Sequence, residues 1–205
     1  MPTSLTVDVA NPLCVGAVVL AAGPSSRMGT SKQLVEFGGE PLVKRAASVA
    51  GKAGCSPVAI VIGANAMATR RALRGVKVLE VQNQQWESGL GSSIRAGVAA
   101  LIEANPKTVA IVLMLCDQPF VTPDVIAKLI TAHLESECSI IASSYGETYG
   151  VPALFGQTHY PELMALKGAA GAKELIQKHF AGVQLVNFPK GAIDIDTPDD
   201  LARLS

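Results

Sequence analysis

The stretch Val18–Lys32, "VVLAAGPSSRMGTSK", is an apolar run that stops at Gly23 and gives way to small residues with one arginine and one lysine. An apolar run of this kind predicts a strand buried on both faces, as in a parallel sheet with helices on each side. In such sheets ligands bind beyond the carboxyl ends of the strands, where the strand order reverses. The residues after Ala22 are therefore the first place to look for a binding site.

The composition indicates one globular domain with much buried surface. Apolar residues make up 49% of the 205 residues and charged residues only 17%, below the usual charged share of about 25%. No Pro/Gly/Ser linker and no block of charge divides the chain. We therefore expect a single domain over residues 14–205, preceded by an N-terminal tail of residues 1–13.

The charge balance limits the classes of partner. The 17 basic residues equal the 17 acidic residues, which removes the nonspecific attraction on which nucleic-acid binders and anionic-membrane binders rely. The apolar runs are too short to span a bilayer, and the first residues show no basic export signal. The sequence predicts a cytoplasmic protein that binds neither nucleic acid nor membrane and recognises any anion at a local site.

The cysteines and histidines suggest no metal cluster and no catalytic motif. The four cysteines are far apart, without a CxxC pair or a nearby pair of histidines, so we interpret them as buried thiols in a reducing compartment. They are Cys14, Cys55, Cys116 and Cys138. The three histidines are scattered and are interpreted as structural or exposed. They are His133, His159 and His179.

The order of apolar and helical patterns predicts repeated βαβ units. Helical stretches rich in Ala, Leu, Lys and Arg lie between most of the β-branched runs. Strands are predicted at residues 15–22, 58–63, 76–82, 108–115, 139–144 and 183–188, with a short strand near 151–155. Helices are predicted at residues 41–54, 66–74, 91–104, 123–136, 160–166, 172–179 and 198–204. This alternation favours an α/β fold with a mostly parallel sheet.

The loop after the first strand has the composition of a polyphosphate site. Its small residues would let successive backbone N–H groups point at one anion; they are Gly23, Ser25, Ser26 and Gly29. Arg27 can bind phosphate oxygens in bidentate fashion, and Lys32 adds a compact charge. The Walker pattern GxxxxGK[ST] and the dinucleotide pattern GxGxxG are both missing from this loop. The alternative is that Arg27 and Lys32 are solvated charges on an ordinary turn.

Two carboxylates are candidates for binding a metal ion. Asp117 follows the apolar run "TVAIVLMLC", where its carboxylate would face the loop and hold Mg²⁺ through oxygen. Asp194 and Asp196, two residues apart, would lie on one face of an extended segment. A strand-end acid of this kind can instead be a helix cap or a turn former.

A second turn of small residues begins a predicted helix. It contains Gly89, Gly91, Ser92 and Ser93. Their backbone and hydroxyl groups would contact a nucleotide base or sugar, or would form an ordinary helix N-cap. Trp86, the only tryptophan, is interpreted as a packing residue rather than a stacking platform.

The segment "LAAGPSSRMGTSK" closely resembles the signature L-A-A-G-x-S-x-R-M-G-x-x-K of nucleotidyltransferases related to molybdenum cofactor cytidylyltransferase and molybdopterin-guanine dinucleotide synthase. Further family elements follow in order: "NQQWESGLGSSIRAG" (83–97), "LCDQPFVT" (115–122), "YGVPALF" (149–155), "GAAGAKELI" (168–176) and "DIDTPDDL" (194–201). The resemblance covers nearly the whole chain. It implies a Rossmann-like three-layer α/β/α sandwich with a mostly parallel sheet, as in nucleotide-diphospho-sugar transferases, in agreement with the pattern of apolar runs.

The resemblance also implies roles for individual residues. The nucleotide-binding set is Leu20, Ala21, Ala22, Gly23, Ser25, Ser26, Arg27, Met28, Gly29, Lys32, Gly89, Ser92 and Ser93. The catalytic set is Arg27, Lys32 and Asp117, and Asp117 with Asp196 would bind Mg²⁺. The implied reaction is attack of a molybdopterin phosphate on the α-phosphate of CTP with release of pyrophosphate. A molybdoenzyme or its chaperone is the implied protein partner.

The donor and the acceptor are the points at which alternatives stay open. Ala22 is typical of the cytidylyl branch, whereas the guanylyl branch usually has glycine there and uses GTP. Relatives usually have Asp and Arg where this chain has Ala169 and Lys173, which leaves open a different acceptor such as a sugar phosphate or alditol phosphate. Two further possibilities are a binding chaperone without catalysis and an oxidoreductase, the latter disfavoured because GxGxxG is missing.

Overall fold

A seven-stranded sheet forms the centre of the protein in a computed structural model, which describes residues 14–25, 31–195 and 197–204. In chain order the strands are β1 (Val15–Ala21), β2 (Glu36–Phe37), β3 (Glu40–Pro41), β4 (Val58–Ile62), β5 (Leu79–Gln82), β6 (Ala110–Leu115), β7 (Ile140–Tyr145), β8 (Thr148–Gly156) and β9 (Val183–Asn187). The central sheet has the order β5-β4-β1-β6-β8-β7-β9, and β2 and β3 form a separate antiparallel pair. The predicted mostly parallel sheet is confirmed.

Helices cover both faces of this sheet. They are α1 (Leu42–Lys52), α2 (Ala66–Ala72), α3 (Leu90–Ala104), α4 (Pro123–Glu135), α5 (Tyr160–Ala165), α6 (Ala172–Lys178) and α7 (Pro198–Leu204). Helices α1 and α4 pack against one face, and α3, α5 and α6 pack against the other. The three-layer α/β/α architecture is therefore confirmed. No helix among the described residues has both the length and the apolar character needed to cross a bilayer.

The first strand is apolar throughout because both of its faces are covered. All seven residues of β1 are buried, with Val19 packed toward α1 and Val18 packed toward α3. β1 pairs in parallel with β4 on one side and β6 on the other. The strand order reverses between β1 and β6, so the residues that follow these two strands meet at the position where such folds bind ligands.

Strand β8 differs from the sequence expectation. A short strand was expected near 151–155, but β8 runs for nine residues and is antiparallel to both β6 and β7. Gly150 and Pro152 weaken the strand pattern in the sequence, because one lacks a side chain and the other lacks an N–H group. A register shift beside Ala142 and Ser143 accommodates them, and Ser143 Oγ donates to the Pro152 carbonyl at 2.6 Å.

Two glycines set the position of α3 on the sheet. A Cβ at Gly97 would lie 2.4 Å from Val18 Cγ1, so α3 packs on β1 more closely than any side chain there would permit. Gly89, at φ 105°, precedes α3, and a Cβ there would lie 2.3 Å from the Gly168 carbonyl oxygen. These contacts fix the first turn of α3 beside the end of β1 and against the loop that precedes α6.

The cysteines are all free thiols, and the expectation that they are buried holds for two of them. Cys55 and Cys116 are buried, whereas Cys14 and Cys138 are half-buried. Burial raises the pKa of the Cys55 thiol to about 12. Burial also raises the pKa of Cys116, with a smaller contribution from the neighbouring Asp117 carboxylate. These two thiols stay protonated and unreactive at neutral pH.

Candidate active site

A cavity of about 290 Å³ lies at the switch point between β1 and β6. Eight of the predicted site residues line it: Leu20, Ala21, Ala22, Gly23, Lys32, Gly89, Ser93 and Asp117. They come from four separate segments of the chain, which the strand order brings to one place. The predicted residues Ser26, Arg27, Met28, Gly29 and Asp196 lie outside the described residues, so their roles stay predictions.

Lys32 and Asp117 form an ion pair at the wall of this cavity. The Lys32 ammonium donates to Asp117 Oδ2, although the two residues are 85 positions apart in the chain. Asp117 is 7% exposed, and its other oxygen, Oδ1, is buried and accepts no hydrogen bond from the described residues. An ionised oxygen without a partner in a buried site is costly unless a ligand supplies the missing positive charge or donor.

The tail of the chain reaches the same place. The backbone N–H of Ile195 donates to the Asp117 carbonyl at 3.0 Å, and the buried Ile195 side chain packs with Val35 and Leu42. The charge of Asp194 contributes to the raised pKa of Tyr145, after the larger effect of burial. The segment that precedes Asp196 is thus held between Asp117 and the residues that follow Lys32.

Gln33 holds the loop after β1, a role that no sequence motif indicated. Its side chain is 1% exposed and donates through Nε2 to the carbonyls of Ala21 (2.9 Å) and Gly23 (2.7 Å). Its Oε1 accepts from the hydroxyls of Ser25 and Ser31. Ser25, at φ 57°, also accepts from the Lys32 backbone N–H at 2.9 Å. Ser25 therefore shapes the loop and is not among the residues that line the cavity.

A second buried amide holds the first turn of α3. Asn83 Nδ2 donates to the hydroxyls of Ser92 (2.8 Å) and Ser93 (3.0 Å), and its Oδ1 accepts from the Gln85 backbone N–H. Ser92 Oγ donates within the protein, to the Gln85 and Gly89 carbonyls, and does not line the cavity. Ser93 lines it, so the structure separates the two predicted serines.

Trp86 and Gln118 also contribute to the site. Trp86 packs at the edge of the core, as expected, and also lines the cavity. Gln118 is buried, and its Nε2 donates to the Val151 carbonyl at 3.1 Å and the Gly191 carbonyl at 2.9 Å. Gln118 therefore links the loop of Asp117 to β8 and to the segment before Asp194. Its role was missed because both of its partners are distant in the sequence.

A second cavity, of about 420 Å³, adjoins the first. The two share Leu20, Leu90 and Leu115 in their walls. The second is also lined by Tyr149 and by the two residues at which this chain departs from the family pattern, Ala169 and Lys173. Lys173 Nζ donates to Thr148 Oγ1 at 2.9 Å and lies 5.8 Å from the centre of the Tyr149 ring. Two adjoining cavities can hold a donor and an acceptor side by side.

The fold and the paired cavities are those of a nucleotidyltransferase. Residues 17–183 match the MobA-like NTP transferase domain, and the chain belongs to this family. It is 33% identical over 202 residues to a protein of Paenarthrobacter nicotinovorans named nicotine blue oxidoreductase, a match that covers 93% of this chain and 96% of the relative. It is also 33% identical to a molybdenum cofactor guanylyltransferase of Rhodobacter capsulatus, over 92% and 94% of the two chains.

Solved structures agree with this assignment. The crystal structure of Rv0371c from Mycobacterium tuberculosis superposes with a TM-score of 0.77 at 32% identity, covering 94% of this chain and 98% of that one. The same mycobacterial protein has been solved in complex with manganese, and that structure superposes with a TM-score of 0.73 at 30% identity, over 93% and 97% of the two chains. The protein is thus a nucleotidyltransferase of the MobA-like family.

Proposed function

We propose that this protein transfers a nucleotidyl group from a nucleoside triphosphate to the phosphate of a molybdopterin-type acceptor, with release of pyrophosphate. The observation that carries this proposal is the pairing of Lys32 with Asp117 in a cavity at the switch point, beside a loop of small residues. The relative from Rhodobacter capsulatus, whose name describes such a reaction on molybdenum cofactor, supports the acceptor.

The buried oxygen of Asp117 fits a divalent metal ion. Oδ1 has no partner among the described residues, and carboxylate oxygens are the ligands that Mg²⁺ and Mn²⁺ prefer. We propose Asp117 and Asp196 as ligands; the manganese complex of the mycobacterial neighbour supports a divalent ion, and Mg²⁺ is our choice as the working metal. When bound, the ion would neutralise charge on the triphosphate.

The residues of the chain would then act by position and charge. The attacking phosphate monoester is already largely ionised at neutral pH, since its second pKa is about 6, so no general base is required. Lys32 would shift from Asp117 toward the triphosphate and offset the charge on the departing pyrophosphate. Gly23 and the loop held by Gln33 would present backbone N–H groups to the phosphates. Arg27 is expected to contribute a second positive charge.

The acceptor would occupy the larger of the two adjoining cavities. Tyr149, whose ring stacks on Phe180 with the ring centres 5.0 Å apart, lines this cavity, and the Lys173 ammonium offers a positive charge to an anionic group. Lys173 would supply the charge that arginine provides in relatives, although without its bidentate geometry. The neutral Ala169 removes the usual aspartate from the same cavity, so we expect an acceptor that depends less on a carboxylate partner.

We propose GTP as the donor, in preference to the CTP that Ala22 indicates. The CTP interpretation rests on one methyl group, which contributes only about 1–3 kcal/mol to discrimination. The relative named guanylyltransferase matches over nearly its whole length.

The test is a pyrophosphate-release assay with purified protein, Mg²⁺ and each nucleoside triphosphate in turn, with and without molybdopterin. We expect release only when GTP and molybdopterin are both present. Release with CTP instead would overturn the choice of donor. Release with a sugar phosphate or alditol phosphate and not with molybdopterin would overturn the acceptor, and no release with any combination would count against transfer itself.

The relative named nicotine blue oxidoreductase suggests a second candidate function, that of an oxidoreductase, which we would test with a nicotinamide cofactor. The loop after β1 lacks the GxGxxG pattern of nicotinamide-dinucleotide sites, which makes this the weaker candidate. Titration of NADH and NADPH with the protein distinguishes the two functions. Enhanced nicotinamide fluorescence on binding would support the oxidoreductase, and unchanged fluorescence would leave nucleotidyl transfer as the activity.

A further inference from the structure

Two histidines and a glutamate that are separated in the sequence meet on the face covered by α5 and α6. Glu162 Oε1 lies 2.8 Å from His179 Nε2 and 3.5 Å from His159 Nδ1. The ligand atoms of these three side chains all lie within 4.8 Å of one another. The two imidazole rings pack edge to face with their centres 4.8 Å apart. This cluster is not used by the nucleotidyl transfer proposed above.

The cluster joins the ends of two helices at the edge of the sheet opposite Asp117. His159 precedes α5, Glu162 lies in its first turn, and His179 follows α6 directly. β8 leads into this region, and its last residue, Gly156, pairs with Ala110 at the start of β6. Asp117 follows the other end of β6, about 17 Å away along a strand of this length.

The hydrogen bonds around the cluster leave one nitrogen of His159 for a ligand. Ser139 Oγ lies 2.8 Å from His159 Nε2, and in the tautomer in which this hydroxyl accepts the Nε2 proton, Nδ1 carries the lone pair that a metal ion needs. That lone pair then faces the Glu162 carboxylate at 3.5 Å, beyond normal hydrogen-bond length. In that tautomer, a cation between Nδ1 and Oε1 would be bound by both atoms.

The two oxygens of the Glu162 carboxylate have different partners. The carboxylate forms an ion pair with the Lys178 ammonium. Lys178 contacts Oε2 at 2.5 Å and leaves Oε1 to the histidines. The Lys178 side chain is 66% exposed, so it can move into solvent when a second cation binds.

The types of ligand atom in this cluster favour a particular metal ion. Two imidazole nitrogens and one carboxylate oxygen suit Zn²⁺, whereas Mg²⁺ and Ca²⁺ prefer oxygen ligands alone. A tetrahedral zinc ion with bonds of about 2.1 Å needs ligand atoms about 3.4 Å apart. The three ligand atoms already lie within 4.8 Å of one another, and the His179 side chain, which is 32% exposed, would rotate to give that spacing.

We propose that His159, Glu162 and His179 bind one Zn²⁺ ion, with water as the fourth ligand, and that the ion fastens the start of α5 to the end of α6. The loop that joins these helices lies at their other ends, where the Gly91 N–H donates to the Gly168 carbonyl. Zinc would therefore close the helix pair at the end opposite this loop and stabilise it. The proposal is independent of the nucleotide that the enzyme uses.

Equilibrium dialysis of the untagged protein against Zn²⁺ tests the site. We expect one zinc ion per chain and a rise in Tm of about 5–10 °C at a free zinc concentration about a hundredfold above Kd. His179→Gln and Glu162→Gln should each lose both effects. The control is His133→Gln, because His133 faces the Cys138 carbonyl instead and should be dispensable for zinc binding.

The Lys178→Ala variant distinguishes a metal-binding site from a cluster of side chains that is held together by ion pairs alone. Removing the competing ammonium should tighten zinc binding by about two- to fivefold. A structural ion pair would only be weakened by this substitution. The proposal is overturned if the wild-type protein binds no zinc, if His133→Gln loses as much zinc as His179→Gln, or if Lys178→Ala weakens zinc binding.

Discussion

The two ends of β6 carry polar clusters that differ in burial and therefore in what they can do. Beyond its carboxyl end, Lys32 and Asp117 pair at the wall of a cavity, and one carboxylate oxygen is buried without a partner among the described residues. Near its start, Glu162 and His179 are about one-third exposed and are hydrogen-bonded to each other. Electrostatic interactions are strong where water is excluded and weak where the charges are exposed to solvent.

This difference supports the transfer chemistry proposed for Lys32 and Asp117 and the zinc binding proposed for the second cluster. A fixed charge in a water-poor cavity can stabilise a transition state by several kcal/mol, because no solvent has to reorganise. A partly exposed cluster of histidines and a carboxylate offers little of this effect, but Glu162 and His179 stay accessible to a metal ion from solution. Substitutions in the first cluster should therefore lower turnover and leave zinc binding unchanged. Substitutions in the second cluster should abolish zinc binding and leave turnover nearly unchanged.

Of the proposed substitutions, Asp117→Asn should lower turnover the most. The amide keeps the size of the side chain but removes the negative charge, so we expect turnover to fall by about 10²–10³-fold with the fold retained. Pyrophosphate release measures the loss, and circular dichroism checks the fold. Asp124→Asn, an exposed residue in the first turn of α4, is the matched control and should be silent. Near-normal turnover of Asp117→Asn would remove Asp117 from the catalytic residues.

Lys32→Met should lower turnover by about 10²-fold and also change the response to metal. Lys32 competes with any divalent ion for the Asp117 carboxylate, so its removal should increase the rise in Tm that Mn²⁺ produces. The same titration on Asp117→Asn should show no such rise, and Lys128→Met on the exposed face of α4 should behave as wild type. An unchanged Mn²⁺ response in Lys32→Met would contradict a metal on Asp117.

The first cluster could be predicted from the sequence because its residues follow strands. Gly23 and Asp117 come directly after apolar runs, and the carboxyl ends of parallel strands share one edge of a sheet. The fold followed from the same runs, apart from the short β2–β3 pair, which was not predicted, and β8, in which Gly150 and Pro152 obscure the pattern of a nine-residue strand. The supporting amides of Gln33 and Asn83 could not be predicted, because their partners are backbone and hydroxyl groups that many residues could offer.

The second cluster could not be predicted because no pattern links its members. His159 and Glu162 are three residues apart, but His179 comes 17 positions after Glu162. Their meeting depends on how α5 and α6 pack, which hydrophobic residues such as Leu163 and Ile176 decide. The sequence interpretation of all three histidines as structural or exposed was reasonable for His133 and incomplete for the other two, which the fold brings together around one carboxylate.

Gln33→Met tests whether the loop after β1 must be held rigid. The substitution keeps the volume but removes hydrogen bonds to the Ala21 and Gly23 carbonyls, each worth about 1 kcal/mol. We expect KM for the nucleoside triphosphate to rise about tenfold, with a smaller fall in kcat, because the loop loses its preformed shape. Gln184→Met on the edge strand β9 is the control. An unchanged KM would mean that the loop is held by other contacts.

His179→Gln should have the smallest effect on turnover. It therefore tests directly whether the histidine cluster is independent of the catalytic cavity. The substitution removes a proposed zinc ligand but leaves the cavity of Asp117 at the other end of β6 intact, so kcat for pyrophosphate release should stay within about twofold of wild type. The same preparation should lose its zinc-dependent rise in Tm. A kcat lowered tenfold or more, with zinc binding retained, would mean that the His179 end of α6 is coupled to the acceptor cavity that Lys173 lines at the other end of this helix, and the proposed separation of the two clusters would fail.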